Sequence, residues 1–183
     1  IAYSINDQST AANMYESGML DWLPSGGFPP EYVAPLKRFR DLKSQPFLAN
    51  YFYLFNTTKP PLDNPLVRRA LAMAVDRRAI TDDLIRGGQI PGANFMPIGL
   101  PTYKSPPGPE YNPKEAARLL AEAGYPNGLG FRQLEIIFNT LESHKKIAEA
   151  IQQMWMKNLN VTVTLHNEEW ATFLKRQSSL EFD

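Results

Sequence analysis

The sequence contains no cysteine, and this absence excludes disulfide bonds, thiolate nucleophiles and every metal site that needs sulfur ligands. Histidine is almost as scarce, since only His144 and His166 occur in the 183 residues. They lie far apart in the chain, and no third ligand follows at a spacing typical of zinc sites. We therefore expect neither a bound metal nor a cofactor.

The chain also lacks a net charge and a long apolar run. Its 19 Lys and Arg residues balance its 19 Asp and Glu residues, so no overall field attracts nucleic acid or an anionic membrane. No segment reaches the roughly 18 consecutive apolar residues that a membrane-spanning helix requires. Nucleic acid is therefore not an expected partner, and membrane insertion is not predicted.

Motifs of the common enzyme classes are missing as well. Ser143 is followed directly by His144, but neighbouring positions of a helix point about 100° apart, so the two cannot act as nucleophile and base. The nucleophile elbow G-x-S-x-G does not occur. The pairs Gly26-Gly27 and Gly87-Gly88 lack the spacing of phosphate-binding loops. The sequence thus does not predict an enzyme.

What the sequence does contain is an alternation of helix and strand signals, which is typical of the α/β class. Helices are predicted at residues 8–17, 29–38, 65–76, 77–86, 113–124, 143–159 and 168–177. Strands are predicted at residues 1–5, 19–23, 47–56, 134–139 and 161–166, and residues 180–183 are interpreted as the start of another. The expected architecture is a mixed sheet flanked by helices. Because both ends are abrupt, the chain is interpreted as an internal fragment of a longer protein.

Two stretches carry especially clear local signals. Asn112, Pro113 and Glu115 combine a side-chain cap, a first-turn proline and a third-position glutamate at one helix start. Between Gly87 and Asn112, prolines remove amide donors and exclude both a helix and a central strand. These prolines are Pro91, Pro97, Pro101, Pro106, Pro107 and Pro109. The stretch is predicted to be an extended loop on the surface.

Polar residues lie at the ends of two predicted elements. Asn139 ends a strand and His144 opens the next helix, so both are candidates for a crevice at the carboxyl end of the sheet. A helix N-terminus at that point favours an anionic group. The alternative is a turn role for Asn139 and a solvated first-turn position for His144.

Aromatic residues form two further patterns. Trp170, Phe173 and Leu174 lie at positions i, i+3 and i+4 of a predicted helix. This stripe fits a helix packed into the core or, at a domain surface, the wall of a pocket. The alternating aromatic face of residues 51–55 is attributed to packing.

Two long stretches add a resemblance to a known family. Residues 51–76 have the sequence YFYLFNTTKPPLDNPLVRRALAMAVD and are followed by a Gly87-Gly88-Gln89 turn. Residues 138–174 have the sequence FNTLESHKKIAEAIQQMWMKNLNVTVTLHNEEWATFL. Both resemble the bacterial extracellular solute-binding proteins of family 5, and the second resembles the oligopeptide-binding, OppA-type branch most closely.

The resemblance implies a receptor roughly three times longer, with two lobes of the type II periplasmic-binding-protein fold joined by hinge strands. Residues 1–50 would then belong to the first lobe and lead into a hinge strand. Residues 51–183 would form a truncated second-lobe α/β domain that includes the Pro-rich loop 87–112. Such receptors are periplasmic or otherwise extracytoplasmic and meet the membrane only through the transporter or a lipid anchor. They hold an extended peptide by main-chain hydrogen bonds, without a covalent step, and deliver it to the permease subunits of an ABC importer.

Carried over by motif position, the resemblance implies a set of cleft-facing residues: Asn139, His144, Trp170, Phe173, Leu174 and Gln177. His144 is a candidate partner for the peptide carboxylate, the three apolar residues line a side-chain pocket, and Gln177 stands where the branch can place a cation. The family pattern continues after Asp183 into a segment with an aspartate that pairs with the peptide amino group. The 183-residue chain alone is therefore not expected to bind peptides saturably.

Two alternatives stay open. A ligand-sensing regulator with the same module would carry a DNA-binding domain in the rest of the protein. A receptor for a non-peptide cargo, such as a nickel complex, haem or a sugar, would share the fold and the cleft.

Overall fold

The computed structural model describes residues 3–5, 7–24, 27–43, 47–97, 100 and 102–183. The α-helices are α1 (Gln8–Glu16), α2 (Val33–Leu36), α3 (Pro65–Met73), α4 (Pro113–Glu122), α5 (Glu142–Leu159) and α6 (Trp170–Ser178). Short 3₁₀ turns lie at Pro30–Tyr32 and Pro126–Gly128, and a π-helical segment spans Ala79–Ile85. The strands are β1 (Leu134–Asn139) and β2 (Val163–Glu168). None of the described helices is long and apolar enough to cross a bilayer.

The two strands pair in parallel, and α5 makes the crossover between them. Leu134 lies opposite Val163 and Asn139 lies opposite Glu168, so both strands end at the same edge. Among the described residues this pair is the whole sheet. The α/β class predicted from the alternating signals is confirmed, and β1 has the predicted bounds.

One core joins the sheet to α3, α4 and α5. Each helix has apolar residues three and four positions apart, so one stripe faces inward and is removed from water. The buried side chains of the helices are Val67, Ala70, Leu71, Met73, Ala116, Leu119, Leu120, Ala148, Ile151, Trp155 and Leu159. Leu134, Ile136 and Phe138 complete the core from alternate positions of β1. The three alanines in this set are small and allow the helices to approach closely.

Helix α4 begins where its capping signals predict. The side chain of Asn112 accepts a hydrogen bond from the backbone N–H of Glu115 at 3.1 Å, and Pro113 occupies the first turn. The carboxylate of Glu115 pairs with Arg118 instead of returning to the cap. The backbone N–H of Asn112 donates to the carbonyl oxygen of Met73, which ties the start of α4 to the end of α3.

Two predicted helices differ from the expectation. Residues 29–38 divide into a 3₁₀ turn and the short α2, because Pro35 has no amide proton to continue a helix. Residues 77–86 are capped by Asp76 as predicted, but a π-helical turn forms within them. Its last bond runs from the N–H of Arg86 to the carbonyl of Thr81, and Arg86 adopts a left-handed φ of 54°.

The strands predicted at residues 19–23 and 47–56 were wrong, and so was the described part of the strand predicted at 1–5, residues 3–5. Residues 180–183, interpreted as the start of a strand, do not pair with any described strand. None of these segments finds a partner strand among the described residues, and an alternating pattern alone supplies no ladder of hydrogen bonds. The alternation of burial itself persists in part, since Tyr53 and Phe55 pack against the core while Phe52 and Leu54 are exposed. Strand β2 lies two residues later than predicted, and α6 begins correspondingly later.

The Pro-rich stretch contains no helix or strand in its described part, as predicted. It folds back against the segment before α3. The side-chain amide of Asn50 donates to the carbonyl oxygens of Asn94 and Phe95, and the rings of Phe52 and Phe95 meet edge to face at 4.9 Å. This loop thereby supports residues 50–55, which form one side of the groove described next.

Candidate functional site

A groove of about 310 Å³ runs along β1. Its other sides are the segment 50–55, the start of α5, one side of α6 and the last two residues of the chain. Five of the six residues predicted for the site line it: Asn139, His144, Trp170, Phe173 and Gln177. Leu174 is not among the lining residues and lies 42% exposed on α6.

Asn139 and His144 form a direct pair at one end of the groove. The Oδ1 atom of Asn139 lies 2.7 Å from Nδ1 of His144. Since a carbonyl oxygen only accepts, the neutral ring carries its proton on Nδ1, and Nε2 presents a lone pair. Asn139 ends β1 and His144 lies in the first turn of α5, so the β1–α5 connection brings the two together.

Burial lowers the pKa of His144, because the charged imidazolium loses hydration inside the groove. Its ordinary pKa is about 6.5, so the ring is neutral at neutral pH. Tyr51 reinforces this environment, since its ring lies over the imidazole with centroids 4.7 Å apart and planes tilted by 31°. His144 is thus half-buried in the first turn of α5, with one face of its ring against Tyr51.

Tyr51 and Tyr53 continue the polar part of the groove. Their rings meet at nearly a right angle, and the hydroxyl of Tyr51 donates to that of Tyr53 at 3.5 Å, a long contact. Burial raises the pKa of both hydroxyls, so they stay protonated and can donate or accept hydrogen bonds. From the sequence, this aromatic face was predicted to serve packing. Tyr51 instead contacts His144 and lines the groove.

The opposite wall of the groove is aromatic. The rings of Trp170 and Phe173 stack with centroids 5.7 Å apart and planes 17° from parallel. Trp170 is 57% exposed, so the stripe on α6 is not a core stripe, and the pocket-wall alternative fits its placement. At the base, Trp155 packs its ring against Phe55 and belongs to both the core and the groove lining.

Ion pairs flank the groove where α6 meets the sheet. Arg176 contacts the carboxylates of Glu135 and Glu168 at 2.8 Å and 2.6 Å, and Nε2 of His166 lies 3.3 Å from Glu168. The second carboxylate oxygen of Glu168 is buried and finds no hydrogen-bond partner among the residues that the structure describes. This cluster was not predicted, because its members lie on β1, β2 and α6 and share no local motif.

The chain end forms a second ionic contact. Asp183 accepts two hydrogen bonds from Arg132, at 2.8 Å and 3.0 Å, and one from the backbone N–H of Glu135 at 2.8 Å. Burial alone would raise the pKa of Asp183, but these donors outweigh it and lower the pKa. The side chain of Lys59 donates to the carbonyl of Phe182, which holds this end against the groove.

The lining of the groove combines polar and aromatic side chains. Among the described residues no group of three His, Asp or Glu side chains is placed to hold a metal ion. The groove offers neutral hydrogen-bonding groups beside aromatic surfaces. Such a combination suits a ligand with both polar and apolar parts.

The chain is similar in sequence to a known protein family and to several of its members. The family model described as "Bacterial extracellular solute-binding proteins, family 5 Middle" matches residues 1–183. The oligopeptide-binding protein OppA of Bacillus subtilis is 30% identical over 187 residues, which cover 97% of this chain and 34% of that protein. The periplasmic murein peptide-binding protein MppA of Escherichia coli is 36% identical over 190 residues, which cover 98% of this chain and 34% of that protein.

A solved structure extends the comparison to three dimensions. The crystal structure of a periplasmic oligopeptide-binding protein of Borrelia burgdorferi, OppAIV, matches with 37% identity and a TM-score of 0.87. The match covers 97% of this chain and 35% of that one. The chain therefore spans about a third of the length of these relatives.

Proposed function

We propose that this chain, which belongs to the bacterial extracellular solute-binding proteins of family 5, forms one wall of a cleft that binds peptides for an ABC importer. Its fold is part of the type II periplasmic-binding-protein fold, as predicted. Within the proposal, residues 1–50 lead from a first lobe into a hinge, and residues 51–183 belong to a second lobe. The ligand is held without a covalent step, outside the cytoplasm, and is passed to the permease subunits.

The observation that carries the proposal is the composition of the groove. The pair Asn139–His144 and the hydroxyls of Tyr51 and Tyr53 offer hydrogen bonds of the kind that a peptide main chain forms. The stacked rings on α6 offer an apolar surface for a side chain without demanding one particular shape. The relatives named above bind oligopeptides or murein peptides, which supports a peptide as the ligand.

Calorimetry of the intact gene product that carries this chain tests the proposal. We expect saturable binding of mixed tri- to pentapeptides, and no binding by the 183-residue chain alone. Failure of the intact protein to bind any of these peptides would contradict the peptide assignment. Binding of a nickel complex, haem or a sugar in the same titration would then identify a non-peptide receptor, and sequence-specific DNA binding would identify a regulator.

His144 is proposed as the partner of the peptide carboxylate, and this role has a pH signature. Because burial lowers the pKa of His144, the free protein holds a neutral ring whose Nε2 lone pair would face the carboxylate. Pairing must therefore recruit a proton and raise the pKa of His144 in the complex. Between the free and the bound pKa, affinity should rise by up to about tenfold for each unit that the pH falls.

The test compares a tripeptide with its C-terminal amide between pH 5 and 8 in the intact protein. We expect pH-dependent affinity for the free carboxylate only. His144→Ala should remove the dependence and weaken binding of the free acid roughly tenfold to hundredfold, the value of a hydrogen bond to a charged group. Lys145→Ala, at the exposed neighbouring position on α5, is the control and should change neither the affinity for the free acid nor its pH dependence. Equal pH profiles for acid and amide would show that His144 is not the carboxylate partner.

A further inference from the structure

Helix α6 forms a wall of the groove, but it is attached to the molecule differently from α3, α4 and α5. Those helices bury a stripe of apolar side chains in the core. Among the nine residues of α6, all of them described, none is buried. Trp170, Phe173 and Gln177 on this helix nevertheless line the groove. Apolar burial therefore contributes little to fixing the wall that would contact a ligand.

The side chain of Arg176 supplies the missing attachment. One terminal nitrogen contacts Glu168 on β2 at 2.6 Å, and the other contacts Glu135 on β1 at 2.8 Å. Its Nε–H donates to the backbone carbonyl of Glu181, just after the helix, at 2.9 Å. A single planar guanidinium thus joins α6 to both strands and to the turn that follows, and its fork geometry makes this possible.

The burial of this cluster distinguishes it from ordinary surface pairs. The side chain of Glu168 is 8% exposed and that of Arg176 is 23% exposed. Screening by water is weaker at such sites, so the pairing depends on geometry and is costly to break. On α4, Arg118 also bridges two glutamates, Glu115 and Glu122, but with 60% of its side chain exposed.

We propose that Arg176 is a positioning residue that sets where the aromatic wall of α6 stands, and thereby tunes the affinity of the groove. The proposal rests on the proposed function for its ligand and on geometry for its mechanism. Without Arg176, α6 loses its side-chain bridge to both strands and has no buried apolar stripe to replace it. It should then detach from the sheet while the core of α3, α4 and α5 remains folded.

Hydrogen exchange of the full chain measures the attachment without any ligand. In Arg176→Gln we expect amide exchange in residues 170–178 to rise about tenfold or more, with exchange in residues 142–159 unchanged. Arg176→Lys should restore part of the protection, because a lysine keeps the charge but cannot bridge two carboxylates. Arg118→Gln is the matched control, since it also removes an arginine shared by two glutamates, and should leave α6 unchanged.

Peptide titration of the intact protein supplies the second measurement. We expect Arg176→Gln to weaken peptide binding about tenfold and Arg118→Gln to leave it unaltered. Unchanged exchange in α6, or an equal rise throughout the chain, would overturn the positioning role. A looser α6 with unaltered affinity would overturn its link to binding. If the wild-type protein binds no peptide while α6 still loosens, the proposed function fails and the attachment stands. Should Arg176→Gln not fold, Glu135→Gln removes only one arm of the bridge and gives the same readouts.

Discussion

Replacing Trp155 by alanine is expected to lower the free energy of unfolding by about 3–5 kcal/mol, the range for emptying a buried tryptophan site. The ring is 4% exposed, packs against Phe55 with centroids 6.3 Å apart, and forms part of the base of the groove. Its indole N–H also donates to the backbone carbonyl of Leu71 at 2.9 Å. That carbonyl lies in the last turn of α3, where helix geometry leaves acceptors without an intrahelical donor. Trp155 therefore fills volume and caps a neighbouring helix at once.

Chemical denaturation of three variants separates these contributions. Trp155→Phe keeps an aromatic ring but loses the indole donor, and should cost about 1–3 kcal/mol for the buried carbonyl left unpaired. Met156→Ala, one residue later on the exposed face of α5, is the control and should change stability by less than about 0.5 kcal/mol. The prediction would be contradicted by a free energy of unfolding of Trp155→Ala within about 1 kcal/mol of the original value, because the surrounding side chains would then have filled the space left by the ring.

Helices α3, α4 and α5 and strand β1 were predictable because their signals are local. The cap at Asn112 and the apolar stripes of α3 and α5 depend on residues within a few positions of one another. Strand β1 was predictable from the alternation of its six residues. The strand predicted at residues 47–56 depended on a partner that no local pattern specifies. Its side chains alternate in burial, but no described strand pairs with it.

The part of the site that the β1–α5 connection forms was predictable from the sequence. Asn139 and His144 are five residues apart, so the β1–α5 junction alone brings them together. Tyr51 reaches the same place from a distant part of the chain and was assigned to packing, because sequence alternation does not reveal which partner a face meets. The bridge of Arg176 was missed for a similar reason. Its charges were individually ordinary, and only the parallel pairing of β1 and β2 places Glu135 and Glu168 within reach of one guanidinium.

The turn that leads into β1 provides the second large effect, since Gly128→Ala should destabilise the chain by about 2–4 kcal/mol. Gly128 has a φ of +73°, which costs an alanine roughly 1 kcal/mol. An added Cβ would also lie 2.6 Å from the carbonyl oxygen of Asn160 and 2.7 Å from that of Leu159. Both oxygens belong to the backbone at the end of α5 and cannot rotate away, so a further cost of about 1–3 kcal/mol follows from overpacking.

Gly130 offers a control with a similar positive φ. Its φ is +77°, but a Cβ there would meet nothing within 4 Å. Gly130→Ala should therefore cost only the conformational strain of about 1 kcal/mol. The difference between the free energies of unfolding of the two variants measures how rigidly the turn is held against α5. Because β1 follows this turn, the same difference shows how well the start of β1 is fixed beside the groove. Equal losses would mean that the turn shifts freely away from α5, so that the close approach at Gly128 does not fix the start of β1.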